Sequence, residues 1–326
     1  MPFPTDGLIS TSVELALDRL RHGGLVAIPT ETVYGLAADA EQPSAIARVY
    51  AVKGRPSDHP LILHLARLDA SDGWVADVPD TALRLGEACW PGPLTMLLPR
   101  GPRVSDGITG GRDTVGIRIP SHPLTLDLLE RHRGGLVAPS ANRFGKVSPT
   151  TAHHVLDDLA DHLDPERDLI LDGGPCRIGV ESTIVDLTVE PPQVLRTGAI
   201  SADDIERLLT GPVAGAAGPS RASGMLASHY APDCTVLLAD DPLEAESLAA
   251  IHRAGGERVG VLDRTDDLVV AAQLLYSDLR AADHAELDVL VAVLPPALGI
   301  GHALRDRLMK AAAQAHRPPT RPNRAG

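Results

Sequence analysis

Apolar and polar positions along this chain follow two rhythms that trade places every ten to fifteen residues. Helical spacing recurs at 12–22 (SVELALDRLRH), 43–54 (PSAIARVYAVKG), 80–90, 123–132, 150–163 and 201–209. Between these stretches, short apolar runs read as strands at 25–28, 60–66, 94–99, 114–120, 136–142, 168–174, 181–188 and 193–198. Glycines mark the helix ends at 23–24, 54 and 134–135, and Ser201 with Asp204 forms a capping-box-like start. Many strands with interspersed helices predict one large α/β domain with a mixed sheet over residues 1–210. Residues 211–233 lose all apolar period and are rich in Gly, Ala, Pro and Ser, as in a linker. From 234 the alternation is clean: strand 234–240, helix 242–256, strand 258–263, helix 267–283, strand 287–295, helix 301–316. That is the pattern of a small, Rossmann-like parallel sheet over 234–316, without a GxGxxG turn. The tail 317–326 reads as disordered.

Composition narrows this picture. Among 326 residues there are two Phe, two Trp and four Tyr, so the core must be aliphatic. The formal net charge of −13 disfavours tight, non-specific binding to nucleic acid or anionic membranes. Three widely spaced cysteines, Cys89, Cys176 and Cys234, suggest neither a disulfide framework nor a zinc site. No leader or membrane-length apolar run is legible, so a cytoplasmic protein is expected.

Candidate chemistry gathers at strand ends of the first domain. The stretch PTETVYGLAADA (29–40) follows an apolar strand with Thr30, Glu31 and Thr32, where a plain turn is expected. KGRPSDHP carries Lys53 and Arg55 in a tight loop, and TVGIRIP carries Arg118 among apolar neighbours. Ser140 and Asn142 end one strand, Ser182 and Thr183 begin another, and Arg196 ends a third. Ligands of open α/β sheets sit beyond strand ends, and a cleft lined by Lys53, Arg55, Arg118 and Arg196 suits a nucleoside triphosphate. The bland readings are a surface turn at Lys53–Arg55, an ion pair of Arg118 with Glu31 or Glu181, and a core histidine at His64. His153 and His154 read as an exposed helix face. With no Walker A, HExxH or GxSxG motif, catalysis here would rest on positioning and electrostatics.

In order, PTETVYGL, KGRPSDHPL, WPGPLT, TVGIRIP, PSAN, SPT, GVESTIVD and LRTGAI resemble the YrdC/Sua family of threonylcarbamoyl-AMP synthases. SGMLASHYAP, LYSDLRAAD and ALRDRLMKAA resemble the linker and C-terminal domain of its longer, two-domain branch. The resemblance implies a YrdC-like twisted mixed sheet and an activity that joins ATP, L-threonine and bicarbonate or CO2, releasing pyrophosphate. The product would feed the tRNA threonylcarbamoyltransferase machinery that modifies the adenosine beside the anticodon, with at most weak contact to tRNA itself and none to membrane. By motif matching, Thr32, His64, Arg118, Ser140 and Ser182 would hold L-threonine. Arg55, His59, Thr114, Asn142, Thr150 and Arg196 would hold ATP, with Tyr230 reaching over it from a lid-like linker. Lys53 and Arg55 would serve the chemistry at the phosphates, which would carry Mg2+. Two positions depart from the family pattern: His59 stands where Asn is usual, and Ser228 where a basic residue precedes HYAP. The competing readings are a carbamoyl-adenylate module of hydrogenase maturation, a non-catalytic RNA-binding protein of the same fold, and an inactive relative.

Overall fold

A computed structural model describes residues 7–217 and 230–313. Eleven strands form one mixed sheet: Ile9–Ser10 (β1), Val26–Ile28 (β2), Gly35–Asp39 (β3), Ile62–His64 (β4), Leu94–Pro99 (β5), Thr114–Arg118 (β6), Leu136–Val137 (β7), Leu169–Leu171 (β8), Thr183–Asp186 (β9), Gln193–Arg196 (β10) and Ala214–Gly215 (β11). Their order is β1-β8-β2-β3-β7-β4-β6-β5-β9-β10-β11. The sheet therefore reaches five residues, to Gly215, into the stretch read as linker. The helices around it are Val13–Arg21 (α1), Pro43–Lys53 (α2), Asp80–Cys89 (α3), Asp106–Thr109 (α4), Pro123–His132 (α5), Ala152–Leu159 (α6) and Ala202–Leu209 (α7).

The apolar spacing explains the layering. In α1, Ser12 caps the helix by accepting from the Leu15 N–H, and Val13, Ala16, Leu17 and Leu20 recur on one buried face. They meet Leu128 and Leu129 of α5 over Val26, Ile28 and Leu169. The opposite face of the sheet buries Leu36, Leu63, Met96 and Ile117 under Ile46 and Val49 of α2, Leu85 of α3, Val155 of α6 and Ile205 of α7. α7 starts with the expected capping box of Ser201 and Asp204. Gly54 stops α2 at φ 63°, the left-handed conformation that glycine adopts without strain.

A second, three-stranded sheet follows: Thr235–Ala239 (β12), Val259–Leu262 (β13) and Val289–Val293 (β14), all parallel in the order β12-β14-β13. Pro242–Ala254 (α8) covers one face through Ala245 and Ala249. Leu268–His284 (α9) and Gly301–Ala312 (α10) cover the other. That second face is not closed within the small sheet's own helices. Val33, Val147 and Val180 from the first 210 residues join Ala272, Leu275, Leu279 and Leu304 in one continuous core. Arg280 of α9 clamps Asp158 with two bonds of 2.9 and 2.7 Å, and Gln273 donates to the Arg177 carbonyl at 2.8 Å. The contact is tight enough that a Cβ on Gly179 would lie 2.2 Å from the Ala272 carbonyl oxygen. Among the described residues no helix is long and apolar enough to cross a membrane.

Candidate active site

PTETVY forms the loop of the β2–β3 hairpin, and all of it is buried. A buried loop must satisfy its polar groups internally. Thr30 Oγ1 donates to the Val33 carbonyl at 2.6 Å and accepts from the Thr32 N–H at 3.1 Å. With the Thr30 proton so committed, the 2.8 Å contact between the two hydroxyls has Thr32 as donor. Arg118 Nη2, at the end of β6, then donates to Thr32 Oγ1 at 2.8 Å and to Glu31 Oε1 at 2.7 Å. The Ser121 N–H donates to the other Glu31 oxygen at 2.9 Å. Burial works to raise the Glu31 pKa. The Arg118 charge and these hydrogen bonds outweigh it, so the carboxyl is held below its usual range. The Thr32 hydroxyl is thereby committed as donor to Thr30 and as acceptor from Arg118. Arg118 Nε is buried without a protein partner.

Parallel pairing of β4 and β6 sets His64 beside Arg118. Burial, then the Arg118 charge, push the His64 pKa down to about 3, so its ring is neutral. Antiparallel pairing of β5 and β6 sets Thr95 opposite Arg118. Thr95 Oγ1 meets Ser182 Oγ at 2.8 Å, and Arg196 Nη2 donates to that same Ser182 oxygen at 3.0 Å. Two guanidinium groups thus sit on either side of a hydroxyl pair, both fixed by strand register.

The loops above the strand ends supply the remaining groups. Lys53, at the end of α2, is buried and donates to the Ser140 and Asn142 carbonyls, both at 2.6 Å. Burial and the nearby Arg55 charge hold its pKa well below the lysine range. Asn142 spends both amide hydrogens on the Arg143 and Lys146 carbonyls, at 2.9 and 2.7 Å, leaving Oδ1 buried without a protein partner. Arg55 donates to the Pro60 carbonyl at 3.1 Å and lies 5.7 Å from the Phe144 ring centre. His59 meets the same ring edge to face at 5.3 Å, and burial with the Arg55 charge lowers its pKa.

The far wall comes from 148, 181 and the small sheet's helices. Glu181 accepts from Ser148 at 2.6 Å, from the Tyr276 hydroxyl at 2.7 Å and from Arg307 Nε at 2.8 Å. Burial opposes its charge. Arg307, Arg196 and the Ser148 bond overcome that and hold the pKa at about 2. Tyr230, at φ 63°, stacks on Tyr276 at 5.7 Å, with the Arg307 guanidinium 5.1 Å from its ring centre. Between these walls lies a pocket open to solvent, lined by Arg55, His64, Arg118, Ser140, Arg196 and Tyr230, with Val33, Ile62, Ala138, Pro139 and Glu181.

Residues 18–198 match the Sua5/YciO/YrdC family profile, described as "Telomere recombination", and residues 200–313 match "Threonylcarbamoyl-AMP synthase, C-terminal domain". The chain is 38% identical to the threonylcarbamoyl-AMP synthase of Pyrococcus abyssi, over 92% of this chain and 93% of that one. It is 39% identical to that of Bacillus subtilis, over 90% of each. The crystal structure of P. abyssi Sua5 complexed with L-threonine superposes with a TM-score of 0.88, at 37% identity, covering 93% of this chain and 94% of that one.

The chain belongs to the Sua5/YciO/YrdC family. Its relatives over the full length are enzymes by name. The mixed sheet followed by a small parallel sheet is the architecture expected of the long, two-domain branch. Within this Sua5-type fold, six of the residues singled out from sequence line the pocket itself: Arg55, His64, Arg118, Ser140, Arg196 and Tyr230. Thr32 and Ser182 sit one hydrogen bond behind, on Arg118 and Arg196. Lys53 faces the loop carbonyls rather than the pocket, and Asn142 joins it there. His59 lies outside the lining, beside Arg55. Thr114 and Thr150 lie outside the lining. Thr114 shares a face of β6 with Arg118, roughly 13 Å along the strand, and Thr150 Oγ1 meets His154 Nδ1 at 3.3 Å. His154 is therefore half-buried against its own helix start rather than on an exposed face, and burial lowers its pKa to about 4. Ser228 lies outside the described residues, as does the tail.

Sequence reasoning did not assign Glu181, Ser148, Tyr276 or Arg307 to the site. Glu181 was weighed as a partner of Arg118, but Glu31 takes that place. The missed signal was an acidic residue directly before Ser182, two positions ahead of a fully buried strand. Its buried counter-charge lies 126 residues away, beyond the reach of local pattern.

Proposed function

We propose that this protein is a threonylcarbamoyl-AMP synthase, a nucleotidyltransferase that converts L-threonine, bicarbonate or CO2, and ATP into L-threonylcarbamoyladenylate and pyrophosphate. The observation that carries the reading is the split of the pocket into two subsites around one hydroxyl pair. Arg118, with an unused buried Nε and a flanking neutral imidazole, fits an amino acid's carboxylate. Thr32, one hydrogen bond behind, fixes that guanidinium through Nη2. Arg55 and Arg196 face the same space from other walls and fit phosphate oxygens. The full-length relatives carry the activity in their names, and the P. abyssi protein was crystallised with L-threonine.

In this reading the threonine amine adds to CO2, losing a proton, to give a carbamate. A carbamate oxygen attacks the α-phosphorus in line, and the bond to the pyrophosphate leaving group breaks. The chain's part is positioning and charge. Arg118 orients the carboxylate, Arg55 and Arg196 offset the crowded phosphate charge, and Lys53 holds the Ser140–Asn142 loop. Among the described residues no group of three or more His, Cys, Asp or Glu could hold a metal ion. The groups facing the pocket are guanidinium, hydroxyl and imidazole, with one carboxylate, Glu181, that already accepts from three donors. Mg2+ would thus arrive on the triphosphate, as part of the substrate, and withdraw charge from its oxygens. A cytoplasmic setting, and delivery of the labile product to a tRNA-modifying acceptor enzyme, belong to the same reading. The test is pyrophosphate release from ATP and bicarbonate with and without L-threonine. Threonine-dependent release, smaller with L-serine, supports the reading; release indifferent to the amino acid, or none from folded protein, contradicts it.

A further inference from the structure

The small parallel-sheet unit does more than sit beside the pocket. Two of its side chains reach through the shared core to one pocket-lining carboxylate. Arg307 of α10 is fully buried, donates from Nε to Glu181 Oε2 at 2.8 Å, and donates from Nη2 to the Thr197 carbonyl at 3.0 Å. Tyr276 of α9 donates to the same Glu181 oxygen at 2.7 Å. Thr197 directly follows Arg196, and Glu181 directly precedes Ser182. Arg307 therefore ties together the two backbone segments that carry Arg196 and Ser182, the pair joined at 3.0 Å on the nucleotide side of the pocket.

Resting on the synthase reading above, we propose that Arg307 is a positioning residue for ATP: acting through Glu181 and the Thr197 carbonyl, it sets the placement of Arg196. Glu181 lies between two guanidinium groups. A charge there without Arg307 would draw Arg196 wholly onto itself and away from phosphate. With Arg307 in place the carboxylate is already satisfied by three donors, and Arg196 stays on Ser182 and turned to the pocket. Glu181 is faced by Arg196 of β10, Ser148, Tyr230, Tyr276 of α9 and Arg307 of α10. Asp306 and Lys310 stand behind Arg307, bonded to each other at 2.9 Å. The Arg307 charge is the largest influence holding the Glu181 carboxyl ionised, so without it the carboxyl takes up a proton at higher pH.

The experiment compares full-length wild type with Arg307→Met, Arg307→Lys and Tyr276→Phe in threonine-dependent pyrophosphate release, from pH 5 to 8, with melting temperatures recorded alongside. The proposal expects Arg307→Met to raise the KM for ATP roughly tenfold or more while changing the KM for L-threonine far less. It also expects that penalty to shrink as pH falls toward 5, because a Glu181 that takes up a proton no longer draws Arg196 away. Arg307→Lys, which restores charge without the fork, should recover part of the KM and lose most of that pH dependence. Tyr276→Phe keeps the ring stack and should show a smaller shift in the same direction, which preserves the test if Arg307→Met does not fold. A merely structural Arg307 would lower the melting temperature and scale activity down equally for both substrates with an unmoved pH profile, and that result overturns the proposal. Failure of wild type to release pyrophosphate would instead overturn the synthase reading.

Discussion

Glu31 and Arg118 stand 2.7 Å apart, both buried, where the β2–β3 hairpin meets the end of β6. Neither is replaceable alone. Removing Arg118 leaves a buried carboxylate uncompensated, which costs about 3–5 kcal/mol. Arg118→Met should therefore lower the melting temperature by many degrees and abolish threonine-dependent turnover. The paired change Glu31→Gln with Arg118→Met should recover much of the stability, because both charges go together, while turnover stays absent. Thermal melts and pyrophosphate release on the four proteins of the cycle check both halves.

Stability should carry an acid signature from Glu181. Its folded pKa of about 2 lies below the ordinary 4.5, so its ionised form contributes stability that is complete above pH 4.5 and is lost as pH falls toward 2. The contribution at neutral pH is on the order of 3 kcal/mol. Glu181→Gln should unfold earlier than wild type at pH 7, and the difference should narrow by pH 3. Urea titrations at the two pH values measure it.

His59 predicts a milder pH effect. Burial and Arg55 lower its pKa, so at pH 8 the ring is neutral, and His59→Asn should leave the KM for ATP nearly unchanged. A bound triphosphate favours the protonated ring. As pH falls to 6, wild type should gain on His59→Asn by about threefold in KM, the scale of a partly exposed charge pair. Steady-state kinetics at both pH values decide it.

Gly179 tests how tightly the two sheets' units are joined. It sits at φ 84°, and an added Cβ would meet the Ala272 carbonyl oxygen. Gly179→Ala should cost at least about 2 kcal/mol from left-handed strain and the clash together. It should also raise the KM for ATP, because it pushes α9, and with it Tyr276, away from Glu181. Gly215→Ala, where nothing lies within 4 Å, is the control that should change neither.

Most strands and helices were legible because burial on one face leaves a period in the sequence. Where both faces are covered, the period vanishes. β3 is buried on both sides, with Leu36 and Ala38 in one core layer and Ala37 in the other, so GLAAD read only as small residues. The expected strand 136–142 is regular only at Leu136–Val137, yet it keeps its register: the Ala138 N–H donates to the Ile62 carbonyl, the Pro139 carbonyl accepts from Leu36, and Ser140 bridges Gly35 while its carbonyl receives Lys53. The helix read at 150–163 starts only after Thr151, whose side chain accepts from the His154 N–H and caps it. At the site, the order of motifs brought Arg55, His64, Arg118, Ser140 and Arg196 to one pocket. The partners of their charges came from register and from helices more than a hundred residues on, as with Glu31 for Arg118 and Arg307 for Glu181.

The central claim is tested most directly by the product itself. Purified protein is incubated with ATP, L-threonine and carbon-13 bicarbonate, and the quenched mixture is examined by mass spectrometry. The account predicts an adenylate carrying both threonine and the labelled carbon, formed only when all three substrates are present and missing with Arg118→Met. ATP turnover that yields AMP or ADP without a labelled threonine adduct, under quenching that preserves the adduct made by the Bacillus subtilis relative, would contradict it.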